Sequence, residues 1–369
     1  MKYIGNKTRL LDFIQESLKF SNIDIKNKIV IDLFSGTGSV SNMFLKNNCN
    51  VISCDIMTYS IAEQYRINYF RNEPTFLELK KDYDLYTLDE VLDYLNNLTE
   101  TEGYFFNNYA PSGVFKRQYF SDSNAKKIDS IRKCIEVWKT ILPEEKYLFL
   151  LGILMCSADK VSNTSGTYGA YLKIWRSMAL KPLVLEKPIF ISSGNAIIKQ
   201  MDVLECVKEN NNSYLIYLDP PYNERQYASN FHVLENIVVY DKQELKGKTG
   251  LRSYELQKSN YCLKSKVLEE FNNLIDNCSA EYIVMSYSTE GLLSVNEIKK
   301  IFEQKGTLTI YTYNYRRFKT NAWTSDQTGL QELLFVCKTN IGCNWQIKKY
   351  YINVWIIIYI ELKIKMKLM

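Results

Sequence analysis

The chain has 369 residues, of which 46% are hydrophobic, so it can bury a core larger than one average domain needs. Its 46 Lys and Arg exceed its 41 Asp and Glu by a net charge of +5, which permits a polyanionic partner without requiring one. Nine scattered cysteines without a C-x-x-C pair, together with a single histidine, argue against a bound metal and fit reduced thiols in a cytoplasmic protein.

The N-terminal stretch "MKYIGNKTRLLDFI" is too polar for a signal peptide, so we expect no secretion. No segment contains the roughly 20 apolar residues that a membrane span needs. The nearest candidate is the run that starts at Trp355, which Glu361 and Lys363 interrupt. The sequence therefore predicts a cytoplasmic protein without a membrane segment.

A predicted strand, glycine turn and helix open the folded part of the chain. The apolar run Lys28 to Phe34 ends in "SGTGSV", and a helical apolar spacing follows. A second run, Asn50 to Ile56, ends in an acid about twenty residues after the glycines and leads into another helical pattern. Together they predict a βαβ unit of a doubly wound, mostly parallel sheet, whose ligands lie at the carboxyl ends of the strands.

Residues 76–189 interrupt this alternation with amphipathic helical patterns rich in aromatic and basic residues, as in "KKIDSIRKCIEVWKTIL". Strands resume at Tyr214 to Leu218 and Tyr282 to Ser286, and a hairpin of "TLTIYTYNY" and "ELLFVCK" closes the sheet. We predict a Rossmann-like α/β domain from residues 1–75 and 190–339, with an inserted, mainly helical domain between its halves. The remaining residues, 340–369, are predicted to be a non-catalytic tail.

The turn in "DLFSGTGSV" indicates a nucleoside site. Gly36 and Gly38 allow a tight turn that brings main-chain amides close to a ligand, and Asp55 can accept hydrogen bonds from ribose hydroxyls. The third glycine of the dinucleotide fingerprint is missing, so a nucleoside without a pyrophosphate fits better. The alternative is an ordinary strand-to-helix turn with a surface acid.

The stretch "YLDPPYNERQY", residues 217–227, carries the most specific chemistry. Asp219 directly follows a strand, so its carboxylate should stand at the sheet edge that carries the glycine turn. Pro220 and Pro221 remove two amide donors, and Tyr222 adds a flat face to this acceptor-rich corner. Such a corner suits an aromatic ring with an exocyclic amino group. The alternative is a proline-capped strand end with a packed tyrosine.

"DPPYN", with "FSGTG" upstream and "KYIGNK" at the N-terminus, resembles the Dam-like, D12 class of amino-adenine DNA methyltransferases, which use S-adenosylmethionine. The order of the motifs, with the insertion before "DPPY", is similar to that of the alpha class. The resemblance covers residues 1–75 and 190–338. It implies methyl transfer to N6 of an adenine flipped out of duplex DNA, with the insertion as the target-recognition domain.

The resemblance also implies roles for individual residues. Asp219, Pro220 and Tyr222 are expected to be catalytic, with the carboxylate as the main acceptor for the amino hydrogens and the tyrosine as a stacking face. The implied cofactor contacts are Tyr3, Gly5 and Lys7 at the methionine end, Asp32, Phe34, Gly36 and Gly38 around it, Asp55 at the ribose, Asn195 near the adenine, and Asp219. Asn195 stands where the family has the acid of a Gly-Asp motif.

Contacts to DNA are predicted from charge. "NYRRFKTN" interleaves Arg316, Arg317 and Lys319 with aromatic residues, as in loops that neutralise phosphates, although a solvated charge cluster is the alternative. Arg225 lies beside the catalytic turn. The insertion adds Lys116, Arg117, Lys126, Lys127, Arg132, Lys133, Lys173 and Arg176. His232 is expected to pack or to form a hydrogen bond rather than to catalyse.

The leading hypothesis is a site-specific adenine-N6 DNA methyltransferase, the protective half of a restriction–modification pair with an endonuclease encoded nearby, acting as a monomer on DNA. A solitary epigenetic methyltransferase would carry the same motifs in the same order. The rival enzyme methylates cytosine N4 or RNA, and a DNA-binding module without activity is the non-enzymatic alternative. Carbon-5 cytosine methylation is set aside because no proline here precedes a cysteine, the nucleophile of that reaction.

Overall fold

The computed structural model describes residues 5, 7–210, 212–314 and 331–340. Its strands are β1 (Ile29–Leu33), β2 (Asn50–Asp55), β3 (Asn195–Gln200), β4 (Ser213–Leu218), β5 (Ala280–Ser288), β6 (Gly306–Asn314) and β7 (Gln331–Thr339). They form one sheet in the order β3-β2-β1-β4-β5-β7-β6. The first five strands in that order run parallel, and β7 is antiparallel to both β5 and β6. The predicted α/β fold and its closing hairpin are confirmed.

The central strands are apolar because both of their faces are covered. In β1 and β4 almost every residue is buried, which matches the near-continuous apolar runs that parallel strands carry. Strand β3 was not predicted; it is an edge strand whose residues are all exposed or only partly buried. Its short apolar run "NAII" contains no buried residues, so no pattern of burial distinguishes this strand from a loop.

The direction of winding reverses between β1 and β4. The chain proceeds from β1 to β2 and β3 on one side, and from β4 to β5 on the other. In an open α/β sheet, ligands bind outside the carboxyl ends of the strands at such a switch point. The segments that follow β1, β2 and β4 therefore meet at one edge.

The α-helices of the described residues are α1 (Leu11–Phe20), α2 (Ser39–Lys46), α3 (Thr58–Gln64), α4 (Lys80–Tyr83), α5 (Leu88–Asn96), α6 (Tyr104–Tyr109), α7 (Asp122–Trp138), α8 (Glu144–Lys160), α9 (Val203–Glu209), α10 (Tyr227–Asn230), α11 (His232–Val239), α12 (Val267–Asn277) and α13 (Val295–Lys305). Helices α1 and α2 cover one face of the sheet. Helices α9, α12 and α13 cover the other face. The alternating side chains of the strands are thus divided between two cores.

A third core consists of helices and loops alone. Residues 76–189 contain no strand, and their helices α5 to α8 bury side chains together with α3 and α11. The helical spacing read in α7 is confirmed, because Ile128, Ile131, Ile135 and Trp138 are all fully buried. Since α3 follows β2 and α11 follows the "DPPY" segment, the helical part is packed directly against two segments that border the predicted site.

No helix within the described ranges is both long and apolar enough to cross a bilayer. Residues 315–330 and 341–369 lie outside the described part of the chain, and with them the loop predicted to bind phosphate and nearly all of the predicted tail.

Candidate active site

A cleft lies at the carboxyl edge of the sheet. It is lined by the glycine turn after β1, by the ends of β2 and β3, by the segment after β4 and by residues 257–261. The cofactor and catalytic residues predicted from sequence that line it are Gly5, Lys7, Asp32, Phe34, Gly36, Asp55 and Asp219. Tertiary structure therefore brings the three sequence motifs into one site.

The glycine turn is held in shape by side chains from the neighbouring helical segment. Phe34, Gly36 and Gly38 have φ angles of +57°, +50° and +71°, a region that residues other than glycine seldom adopt. Asn68 Nδ2 donates to the Gly38 carbonyl at 3.0 Å, and Gln64 Nε2 donates to the Gly36 carbonyl at 3.4 Å. The turn is thus pre-organised before any ligand binds.

Asp55 links the end of β2 to this turn. Its two carboxylate oxygens accept hydrogen bonds from the amides of Gly36 and Met57, each at 2.8 Å. Burial raises the pKa of Asp55 to about 6, although the two amides oppose this shift. Each oxygen can accept a second hydrogen bond, so the carboxylate can still receive ligand hydroxyls.

Asp32 is a buried acceptor at the cleft. Its Oδ2 accepts a hydrogen bond from Ser41 Oγ, whereas Oδ1 has no hydrogen-bond partner among the described residues. Burial raises the pKa of Asp32 to about 7. Because a buried acceptor without a partner is costly, this atom suits a donor supplied by a ligand.

Asp219 shares a buried lysine with a second carboxylate. Lys7 Nζ lies 3.1 Å from Asp219 Oδ1 and 3.8 Å from Glu332 Oε2, and the Lys7 side chain is 4% exposed. Burial raises the pKa of Asp219 to about 6, while Lys7 acts in the opposite direction. Burial disfavours the charged lysine, but the two carboxylates together raise the pKa of Lys7 above its ordinary value.

Glu332 was not predicted as a site residue. It lies near the start of β7, in a strand read only as the second half of a hairpin. The available signal was an acid directly before the apolar run "LLFVC", since a charged side chain at a buried strand needs a partner.

The backbone and the tyrosine ring of the "DPPY" segment contact neighbouring residues. Pro220 is buried, and the Tyr222 carbonyl accepts a hydrogen bond from the Leu292 amide at 2.9 Å. The Tyr222 ring lies edge-on to Tyr287, with 6.4 Å between the ring centroids and 79° between the planes. Lys7 Nζ lies 5.5 Å from the centroid of the same ring. The carboxylate and the aromatic face therefore project from a supported backbone.

The prediction for Asn195 is wrong. Asn195 pairs with Asn50 at the amino end of β2, whereas Asp55 and the cleft lie at the opposite, carboxyl end. Its side chain donates to Asn50 Oδ1 at 2.9 Å. Asp202, two residues after β3, lines the cleft instead and caps α9 by accepting a hydrogen bond from the Leu204 amide at 2.8 Å.

The structure also contradicts a DNA contact by Arg117. Its side chain is buried, and Nη1, Nη2 and Nε donate to the carbonyls of Asn108, Gly247 and Lys248 at 3.1, 3.0 and 3.1 Å. The side chain is buried and three of its five N–H donors bind these carbonyls, so Arg117 supports loops rather than facing a phosphate at the surface.

The remaining predicted residues have different positions. Arg225 is exposed on the segment between Tyr222 and α10. His232 is buried, and its Nε2 lies 2.9 Å from the Tyr168 carbonyl, as expected for a packing and hydrogen-bonding residue. Four residues lie outside the described part of the chain: Tyr3, Arg316, Arg317 and Lys319.

The chain is similar to proteins of one family along nearly its whole length. Residues 3–301 match the family model of the D12 class N6 adenine-specific DNA methyltransferases. The chain is 40% identical over 327 residues to the type II methyltransferase M.NlaIII of Neisseria lactamica, covering 87% of this chain and 93% of that protein. It is 38% identical to the type II methyltransferase M.FokI of Planomicrobium okeanokoites, covering 94% of this chain and 54% of that protein. Type II methyltransferase M.CviAII of Paramecium bursaria Chlorella virus 1 is 35% identical, over 86% of this chain and 92% of its own length.

Proposed function

The chain belongs to the D12 class N6 adenine-specific DNA methyltransferases, and from this we propose that Asp219, Pro220 and Tyr222 form the corner that activates the target adenine. The observation that carries the proposal is the position of Asp219, which follows β4 and lines the same cleft as the glycine turn. S-adenosylmethionine is the methyl donor, and it supplies an electrophilic methyl group on a sulfonium. The acid and the donor site share one edge of the sheet.

The amino nitrogen of adenine needs activation because its lone pair is delocalised into the ring. In the proposal, Asp219 accepts one amino hydrogen and the Pro220 carbonyl accepts the other, so that the lone pair turns toward the methyl group. The adenine leaves the DNA helix at a cost of a few kcal/mol, which stacking on Tyr222 offsets in part. Lys7 contacts Asp219 through Oδ1, and a carboxylate has acceptor sites for further hydrogen bonds, so the amino hydrogen can bind without displacing the lysine.

The residues of the cleft fit S-adenosylmethionine. The unpartnered Oδ1 of Asp32 suits the ammonium of the methionine end, and Asp55 suits the ribose hydroxyls. We assign to Asp202 the contact near the cofactor adenine for which Asn195 was expected, because Asp202 lines the cleft. Gly5 and Lys7 line the same cleft from the N-terminal segment.

Gly38→Ala is expected to weaken the binding of S-adenosylmethionine. A Cβ at Gly38 would lie 2.5 Å from Asn68 Nδ2 and 2.8 Å from Gln64 Cγ, the two side chains that shape the turn. The positive φ adds about 1–2 kcal/mol of strain, which the free turn can relieve by leaving the shape that binds the ligand. Because binding must restore that shape, the dissociation constant should rise about tenfold. Isothermal titration calorimetry checks this, with the melting temperature as a control for folding. An unchanged dissociation constant would contradict the role given to this turn.

We also propose that the protein is the modification component of a type II restriction–modification system, with a cognate endonuclease. Its relatives M.NlaIII and M.FokI are named type II methyltransferases, which supports this proposal. In the proposal the protein acts in the cytoplasm as a monomer on DNA, and residues 76–189 read the target sequence. The helical core formed by these residues packs against α3 and α11, beside the cleft.

The test is transfer of a labelled methyl group from S-adenosylmethionine to unmethylated duplex DNA of mixed sequence, followed by nucleoside analysis. We expect label only in N6-methyladenine. Label in N4-methylcytosine would assign the same activation chemistry to the rival base. If the folded protein labels neither DNA nor RNA, the proposed activity is wrong.

A further inference from the structure

We propose that three loops, residues 112–118, 164–176 and 246–250, form one platform that binds the phosphates and a groove of duplex DNA beside the cleft. The third loop lies outside the insertion predicted from sequence, between α11 and α12. The inference rests on the proposed function, because its ligand is the DNA substrate. It adds the surface that holds that substrate.

Buried side chains tie the first loop to the third. Arg117 donates to the main chain of Gly247 and Lys248, and Gly250 packs so closely that a Cβ there would lie 2.8 Å from Arg117 Cζ. The hydroxyl oxygen of Tyr119, which directly follows the first loop, lies 3.1 Å from the Thr249 carbonyl oxygen. The cation predicted to touch DNA thus holds a neighbouring loop in place.

The second loop is attached in the same way. Gln118 Nε2 donates to the carbonyl of Lys173 at 3.1 Å, and the Tyr119 hydroxyl donates to that of Tyr168 at 2.6 Å. Arg176 Nη1 donates to the Thr164 carbonyl at 2.6 Å and so closes the loop on itself. Because side chains of the first loop bind main-chain carbonyls of the other two, the three loops form one supported surface.

The outer side of this platform is cationic. The three segments contain six Lys or Arg residues and no Asp or Glu. Four of the cations are exposed lysines that form no ion pair with a residue in the described ranges: Lys116, Lys173, Lys246 and Lys248. A run of cations without acids complements a polyanion, and lysines of this kind bind phosphates without reading sequence.

Exposed apolar side chains stand among these lysines. Val114 and Ile174 are 71% and 83% exposed, although they lie on the hydrogen-bonded loops described above. Apolar side chains at the edge of a groove contact the methyl group of thymine, which is one way of reading sequence. The lysines can bind phosphates, and the exposed apolar side chains can contact base edges. This combination favours duplex DNA over an acidic protein as the ligand.

The platform borders the catalytic segment. The Tyr168 amide donates to the Asn230 carbonyl at 2.7 Å, and Asn230 ends α10, the helix that begins with cleft-lining Tyr227. His232 at the start of α11 also contacts the Tyr168 carbonyl. DNA held by the loops would therefore lie next to the site that receives the flipped base.

The test compares the salt dependence of DNA binding in matched variants. Replacing Lys116, Lys173 and Lys248 with Ala removes three phosphate contacts, so the slope of log Kd against log salt concentration should fall by about 2.7, at roughly 0.9 per contact. Lys248→Ala alone, in the third loop, should lower the slope by about 0.9. The control is a triple Ala variant of three exposed lysines outside the three loops: Lys26, Lys46 and Lys300.

We expect the control to keep the wild-type slope, and all variants to keep their melting temperature and their affinity for S-adenosylmethionine. If the wild type methylates DNA but the Lys116/Lys173/Lys248 variant keeps the wild-type slope, the platform is overturned and the proposed function stands. Equal losses in the platform and control variants would also overturn it. A wild type that neither binds nor methylates DNA would overturn both proposals.

Discussion

Asp219→Asn is expected to reduce the rate of methyl transfer by about 10² to 10³ while the affinity for S-adenosylmethionine changes little. The amide keeps the shape of the carboxylate but loses its charge, and one of its two polar atoms becomes a donor. The cationic charge that develops on the adenine amino group then loses its anionic partner. Single-turnover kinetics at saturating cofactor and DNA measure the step directly.

The matched control for this variant is Asp276→Asn, which makes the same chemical change at an exposed position on α12. It should transfer methyl groups at the wild-type rate. A rate for Asp219→Asn within threefold of the wild type, with the protein folded, would remove Asp219 from the catalytic role.

Lys7→Met and Glu332→Gln are expected to shift the pH dependence of methyl transfer in opposite directions. Asp219 accepts hydrogen bonds best as an anion, so the wild-type rate should fall as the pH drops through about 6, the value to which burial raises its pKa. Lys7 lowers the pKa of Asp219, so Lys7→Met should move the acid limb to higher pH. Glu332 raises that pKa, so Glu332→Gln should move the limb to lower pH.

The two variants should also differ in rate near neutral pH. Without Lys7, two carboxylates lie close together without their shared cation, and we expect Lys7→Met to lose most of its activity at pH 7. Glu332→Gln keeps the ion pair between Lys7 and Asp219 and should retain more. The measurement is the single-turnover rate from pH 5 to 9 at saturating S-adenosylmethionine. If the acid limbs of the two variants shift in the same direction, or do not shift, then Lys7 and Glu332 do not set the pKa of Asp219 as proposed.

Much of the site was readable from sequence because its signals are local. A β-branched run followed by "SGTGSV" specifies strand, turn and helix, and a second run places Asp55 at the end of the next strand. Parallel strands end at a common edge, so Asp219 after its own strand was expected near both. Asp219 and Pro221 of the "DPPY" segment do line one cleft with the glycine turn, whereas Pro220 and Tyr222 are not among its lining residues.

What the sequence alone determined is therefore the fold class, the order of the motifs and the chemistry of each turn, since these depend on neighbours along the chain. Only the tertiary structure decided the rest. It decided that Asp202 and not Asn195 reaches the cleft, because the missed edge strand β3 carries its first residue to the opposite end of the sheet. It also paired Lys7 with Glu332 and directed Arg117 inward to the loop at Gly247 and Lys248. These contacts join residues distant in sequence, and the burial that gives each charge its partner exists only after the chain has folded.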